Sequence, residues 1–212
     1  MLIYTGIGPR NAPSKVLEVC QGIGAYMAQR GWILRTGAGS DGVSSGCDLA
    51  FRKGCEDEVG NLFNSRPLLI EIYCPSESYS ADCLRVYDNC PATHMFFQGS
   101  NMVSKALVRA LHPQKKKLAP GHLELHSRNV HQQVGASCGP YKRSHLTILW
   151  TPRGEPTDGG TGMSQKIFDM LPGRSSQFNI SIFDLDNPVD VEAMWSSLEL
   201  MVTSLELEHN AS

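Results

Sequence analysis

The sequence predicts an α/β fold, a mostly parallel sheet flanked by helices on both faces, and three of its features carry that prediction. Short apolar runs recur along the chain, helix-length segments separate them, and the runs end in glycine- or proline-rich turns. Continuous apolar runs are the signature of strands buried on both sides, and parallel neighbours need long, usually helical, crossovers between them.

In chain order, residues 2–4 lead into Gly6, 32–34 into Gly37 and 68–73 into Pro75. Residues 145–150 lead into a Pro/Gly stretch, and 180–185 into Asn187 and Pro188. Between the first two runs, residues 16–30 place Val16, Val19, Ile23, Tyr26 and Met27 on one stripe before Gly31, as an amphipathic helix with a glycine stop does. Residues 48–55, 100–111, 127–134, 163–171 and 189–205 are the further expected helices. Two stretches fit this scheme poorly, residues 74–91 and the loop 113–121, whose Lys115, Lys116 and Lys117 read as a solvated face. One domain is expected over residues 1–205, with 206–212 as a flexible tail.

The 212 residues are 41% hydrophobic and 19% charged, enough apolar material for a core and too little charge for general disorder. With 19 Lys+Arg against 21 Asp+Glu and a pI near 6.4, the chain lacks the basic surface that grips long nucleic acid. A small anionic ligand remains as the expected partner. The start, MLIYTGIG, is not a cleavable leader, and no apolar run approaches the ~20 residues that cross a bilayer, so the expected location is cytoplasmic, away from membranes. The seven cysteines, Cys20, Cys47, Cys55, Cys74, Cys83, Cys90 and Cys138, are odd in number and contain no C-x-x-C pair. Buried thiols are expected rather than a disulfide framework or a zinc ribbon.

Three loops carry the candidate chemistry. The first, Tyr4-Thr5-Gly6-Ile7-Gly8-Pro9-Arg10, ends a strand in G-x-G, where the backbone can approach an anion and Arg10 can add a charge-assisted bond. Asn11 occupies the third glycine position of a dinucleotide fingerprint, and Arg35 stands where an NAD site needs an acid, so an NAD dehydrogenase is excluded. The second, Arg35-Thr36-Gly37-Ala38-Gly39-Ser40-Asp41-Gly42, precedes Asp48 at a helix start and lacks the G-K-[ST] ending of a P-loop. It suits a phosphate or ribose, and a plain loop with Asp48 as a cap is the alternative. The third runs from Trp150 and Thr151 to Gly159, Gly160, Thr161 and Gly162, a nest of amides and a hydroxyl at a helix start. Loops at the carboxyl ends of parallel strands share one edge, so the three can converge on one ligand.

Arg128, Asn129 and Gln132 fall within one helical turn, suited to reading a base or phosphate or forming a polar helix face. His122, His126 and His131, with Glu124, match no familiar metal spacing, and no G-x-S-x-G elbow occurs, so neither a metal nor a cofactor nor a hydrolase triad is expected.

Taken in order, YTGIGPRNAP, LRTGAGSDGVSSGCDLAF, RNVHQQVG and WTPRGEPTDGGTG resemble the SLOG superfamily, which includes the DNA-processing protein DprA and the "Lonely Guy" phosphoribohydrolases. The pattern is most similar to small, mostly phage-encoded DprA-like members, over about residues 1–190. The resemblance implies a Rossmann-like sheet, nucleotide-derived ligands, host cytoplasm and a homo-oligomer. It also implies ligand roles for Gly8 and Arg10, for Gly37, Gly39 and Asp48, and for Gly159, Gly160, Thr161 and Gly162. Pro9 replaces the usual serine before Arg10, and the second motif is stretched between Asp41 and Gly46. The phosphoribohydrolases carry P-G-G-x-G-T-x-x-E. Aligned on that core, the chain has Met163 at the threonine and Lys166 at the glutamate.

A carboxylate lost from that position removes a group commonly worth about 10² to 10⁴ in rate. The expected activity is therefore capture without cleavage of a nucleotide-derived molecule, such as a cyclic ADP-ribose isomer or cyclic oligonucleotide used as an immune signal. The alternatives are an N-glycosidase using Asp41, Asp48 or Glu155 as its acid, and a DprA-like partner of single-stranded DNA.

Overall fold

Four of the five apolar runs become strands in the computed structural model, which describes residues 1–38, 46–61, 69–75, 93–98, 101–112, 117–138, 143–152 and 175–211. They are β1 (Ile3–Ile7), β2 (Ile33–Gly37), β3 (Leu69–Cys74) and β5 (Leu146–Leu149), joined by β4 (Thr93–Gln98) and β6 (Ser176–Asn179). The helices are α1 (Ser14–Gln29), α2 (Gly46–Asn61), α3 (Met102–Leu111), α4 (Pro120–Val134) and α5 (Pro188–Asn210). The strands lie in the order β4-β3-β2-β1-β5-β6, and every adjacent pair is parallel. The strand order reverses between β1 and β5, and in open sheets of this kind ligands bind outside the carboxyl ends at that reversal.

Alternation along β1 sorts its side chains between two layers. The Tyr4 hydroxyl meets Cys55 Sγ of α2 at 3.2 Å, whereas the Thr5 hydroxyl donates to the Gln132 carbonyl of α4 at 2.6 Å. Residues of α1, α2 and α5 pack on the Tyr4 side, where Ile23, Met27, Phe51, Met194 and Leu198 share one core with Leu34 and Ile148. Burying each such side chain contributes about 1.5–3 kcal/mol. On the other side α3 and α4 meet through Val108, Leu123, Val130 and Val134. Helices α1 and α2 approach so closely that a Cβ on Gly54 would stand 1.9 Å from the Gln21 carbonyl oxygen.

Helix α1 stops where expected. Gly31 takes a left-handed φ of 74°, its N–H reaches Ala28 O at 2.9 Å, and Trp32 N–H reaches Met27 O at 3.1 Å. These two bonds satisfy the last carbonyls of the helix. Of the described cysteines, Cys20, Cys47, Cys55 and Cys74 are buried free thiols.

Four expectations change. Helix α4 begins at Pro120, seven residues before the expected 127, because proline at the first helical position starts the helix with its φ already set. Residues 180–185 form no strand: the Asn179 side chain accepts Ser181 N–H at 3.0 Å and turns the chain into a 3₁₀ segment, Ile180–Ile182. Strand β4 lies outside the apolar runs read from the sequence. Residues 206–210 are no tail but the end of α5, where Glu206 accepts from Arg30 Nη2 at 2.7 Å and Trp32 Nε1 at 2.9 Å. The helix expected at 163–171 lies outside the described residues. Among the described residues no helix is long and apolar enough to cross a membrane.

Candidate functional site

The reversal between β1 and β5 brings the first loop against both of the others. Gly8 follows β1, and its N–H donates to Asp48 Oδ1 of α2 at 3.4 Å. A Cβ on Gly8 would stand 2.4 Å from Cys47 Sγ, so only glycine lets this backbone lie so close to the first turn of α2, with the Trp150 carbonyl oxygen at the end of β5 in ordinary contact range at 3.7 Å. Cys47 N–H donates to Pro9 O at 3.3 Å, while Gly46, with φ of 66°, leaves no room for a side chain beside Pro9 and Arg10. Thus Gly8, Pro9 and Arg10 sit on the first turn of α2. Arg10 is exposed there, close enough to Asp48 and Arg128 to act on both electrostatically.

The second loop is held from beneath. Thr36 Oγ1 lies 3.4 Å from Gly6 O and 3.3 Å from Asp48 O, tying β2 to β1 and α2. Arg128 of α4 reaches across with Nη1 donating to Ala38 O at 2.7 Å and Nη2 standing 3.4 Å from Asp48 Oδ2. Its guanidinium lies against Gly37, where a Cβ would come within 2.4 Å of Cζ. Asn129 Oδ1 accepts from Arg128 Nη2 at 2.8 Å and so fixes the plane of the guanidinium. Helix α4 therefore contributes Arg128 and Asn129 to the edge where the first two loops meet.

Burial pushes the Asp48 carboxyl up to about 6 against the opposing pull of Arg128, the Gly8 N–H, Arg10 and the Gly37 N–H. Burial likewise lowers Arg128, and Asp48 opposes that shift. A carboxyl poised near neutrality beside two cations at a loop edge is a feature of functional sites.

Other expected site residues lie differently. Arg35 is in register with Thr5 on the α4 side of the sheet and pairs with Glu71 at 2.6 Å, and Glu71 also accepts from the Tyr73 hydroxyl at 2.7 Å. Thr151 begins the third loop and is tied to the 3₁₀ segment: its N–H donates to Ser181 Oγ at 2.7 Å, and the Ser181 hydroxyl donates back to Thr151 O at 2.8 Å. Gln132 is fully buried one turn beyond Arg128. Gly39, Asp41, Gly159, Gly160, Thr161 and Gly162 lie outside the described residues. Cys47 and Gly46 were missed as site formers, although a glycine at a helix start after a long glycine-rich loop was the available signal. Among the described residues no group of histidine, cysteine and carboxylate side chains is arranged to hold a metal.

Fold and strand order define a Rossmann-like α/β protein whose loop edge at the β1–β5 reversal is built from glycines, two arginines and a buried carboxyl. No family model, no curated protein and no solved structure matches the chain.

Proposed function

We propose that the protein binds a small nucleotide-derived ligand, with its phosphate on the first-loop backbone beside Arg10 and the rest of the molecule along the carboxyl edge. One observation carries the reading: at the strand-order reversal Gly8 packs tightly against the first turn of α2, next to the end of β5 and with Arg10 two residues on. The start of α2 and the Arg10 cation favour an anion beside this loop. The SLOG-like motifs agree with a nucleotide signal as the ligand class, and Lys166 in place of a glutamate supports holding over cleavage. Protein incubated with a nucleotide and cyclic-nucleotide panel, then heat-denatured, should release an unmodified ligand. Release of cleaved products alone overturns capture.

A second reading, N-glycosidic cleavage, is favoured by Asp48, whose carboxyl near 6 suits a general acid. It predicts free base released from a nucleoside monophosphate and abolished by Asp48→Ala. Binding without turnover eliminates it.

A further inference from the structure

Beneath the loop edge, the α4 side of the sheet carries polar side chains where a core is usually apolar. Thr5, Thr147 and Gln177 are register partners across β1, β5 and β6, so they share one face. That face meets α4, because Thr5 Oγ1 donates to Gln132 O at 2.6 Å and pairs with Ser144 Oγ at 2.6 Å. Thr5 is thereby satisfied. Its neighbours are not: Gln132 Nε2 and Oε1, Thr147 Oγ1 and Gln177 Nε2 have no hydrogen-bond partner among the described residues. Gln132 is 0% exposed and Thr147 1%. Buried polar groups are nearly always paired, and one left unpaired destabilises the fold, so a fully buried amide with both ends free calls for a partner.

Where Gln132 leans follows from helix geometry. Side chains on a helix tilt toward its N-terminus and lie over the residue four positions earlier. For Gln132 that residue is Arg128, which reaches Ala38 and Asp48 at the loop edge. A neutral donor and acceptor side by side, with a hydroxyl across the face, do not suit a phosphate. They suit the edge of a nucleobase, and glutamine pairs in this way with the amino group and adjacent ring nitrogen of adenine.

We infer that Gln132, with Thr147, forms a base-reading subsite of adenine preference next to the phosphate loops. The inference rests on the phosphate-binding reading above. Ribose 5-phosphate probes that reading alone, and AMP probes both.

Titration calorimetry of the full chain with AMP and with ribose 5-phosphate separates them. The wild type should bind AMP about tenfold or more tightly than ribose 5-phosphate. Gln132→Leu should bring AMP down to the affinity of ribose 5-phosphate, leave ribose 5-phosphate unchanged, and melt no lower than the wild type because a buried unpaired amide is gone. Thr147→Val, which preserves shape, should weaken AMP selectively and keeps the test decisive if Gln132→Leu does not fold. Equal affinities in the wild type, or an AMP preference that survives both substitutions, overturn the base subsite and leave the phosphate reading standing. Binding of neither probe overturns both.

Discussion

Arg128 and Asp48 meet 80 residues apart in sequence as a buried pair, Nη2 to Oδ2 at 3.4 Å, with side chains only 11% and 9% exposed. The pair joins α4 to the first turn of α2, and Gly8 hydrogen-bonds to the other oxygen of Asp48. Charge, strand order and loop shape therefore converge on one carboxyl.

Removing one partner of such a pair leaves an uncompensated charge in the interior. Arg128→Ala should cost about 3–5 kcal/mol in denaturant unfolding. Arg128→Lys should recover only part of this, because an ammonium lacks the fork that serves Ala38 O and Asp48 together. A loss below about 1 kcal/mol for Arg128→Ala places the pair in solvent.

The Asp48 carboxyl, raised from 3.8 to about 6, gives the pair a pH signature. The fold prefers the protonated acid, so its stabilising contribution is complete below the unfolded value and is lost as pH rises through about 6. Relative to Asp48→Asn, the wild type should gain about 1–3 kcal/mol between pH 7 and pH 4. Parallel stability curves for the two proteins contradict the raised value.

Steric limits at two glycines act at different places. Gly54→Ala forces a methyl against the Gln21 backbone and should destabilise by about 1–3 kcal/mol or more, since neither helix can yield locally. Gly37→Ala meets the Arg128 guanidinium instead, so it should weaken ligand binding as well as stability by displacing that fork. Calorimetric melting with and without AMP distinguishes the two: the ligand-induced rise should survive Gly54→Ala and shrink in Gly37→Ala.

Arg10 is exposed on the first loop, so its loss should leave stability within about 0.5 kcal/mol. Binding of a phosphorylated ligand should fall about tenfold, the scale of one hydrogen bond to a charged group. Unchanged affinity in Arg10→Ala removes this side chain from the site.

Deleting residues 206–212 removes Glu206 from Arg30 and Trp32. Part of that contact is open to solvent, so a cost of about 1–2 kcal/mol is expected, read as a lower denaturant midpoint. A midpoint matching the full chain makes this helix end dispensable.

Much of the sheet was legible because buried parallel strands leave a mostly apolar signature, as residues 32–34 do for β2 and, around Thr147, 145–150 do for β5. The Gly31 stop of α1 was equally local, needing only one residue and its neighbours. Failures came where distant contacts decide. Arg35 adjoins the second loop in sequence, yet strand alternation and register place it on the α4 side of the sheet, paired with Glu71. Arg128 read equally as a reader of a base or phosphate and as a member of a polar helix face, and nothing near it in sequence names Asp48 or Ala38 as its partners. Glu206 sat in a short polar tail whose helical end depends on Arg30 and Trp32, more than 170 residues earlier. The expected third-loop glycines, Gly159, Gly160 and Gly162, lie outside the described residues, so the site is drawn from the first two loops, α4 and the start of the third.

Native mass spectrometry of the full chain with a panel of nucleotides and cyclic nucleotides distinguishes capture of an intact ligand from its cleavage. A mass shift equal to an intact phosphorylated ligand is expected, sharply reduced in Arg10→Ala, with no free base accumulating in solution. No mass shift with any phosphorylated compound, or a bound mass that matches only a cleavage product, contradicts capture.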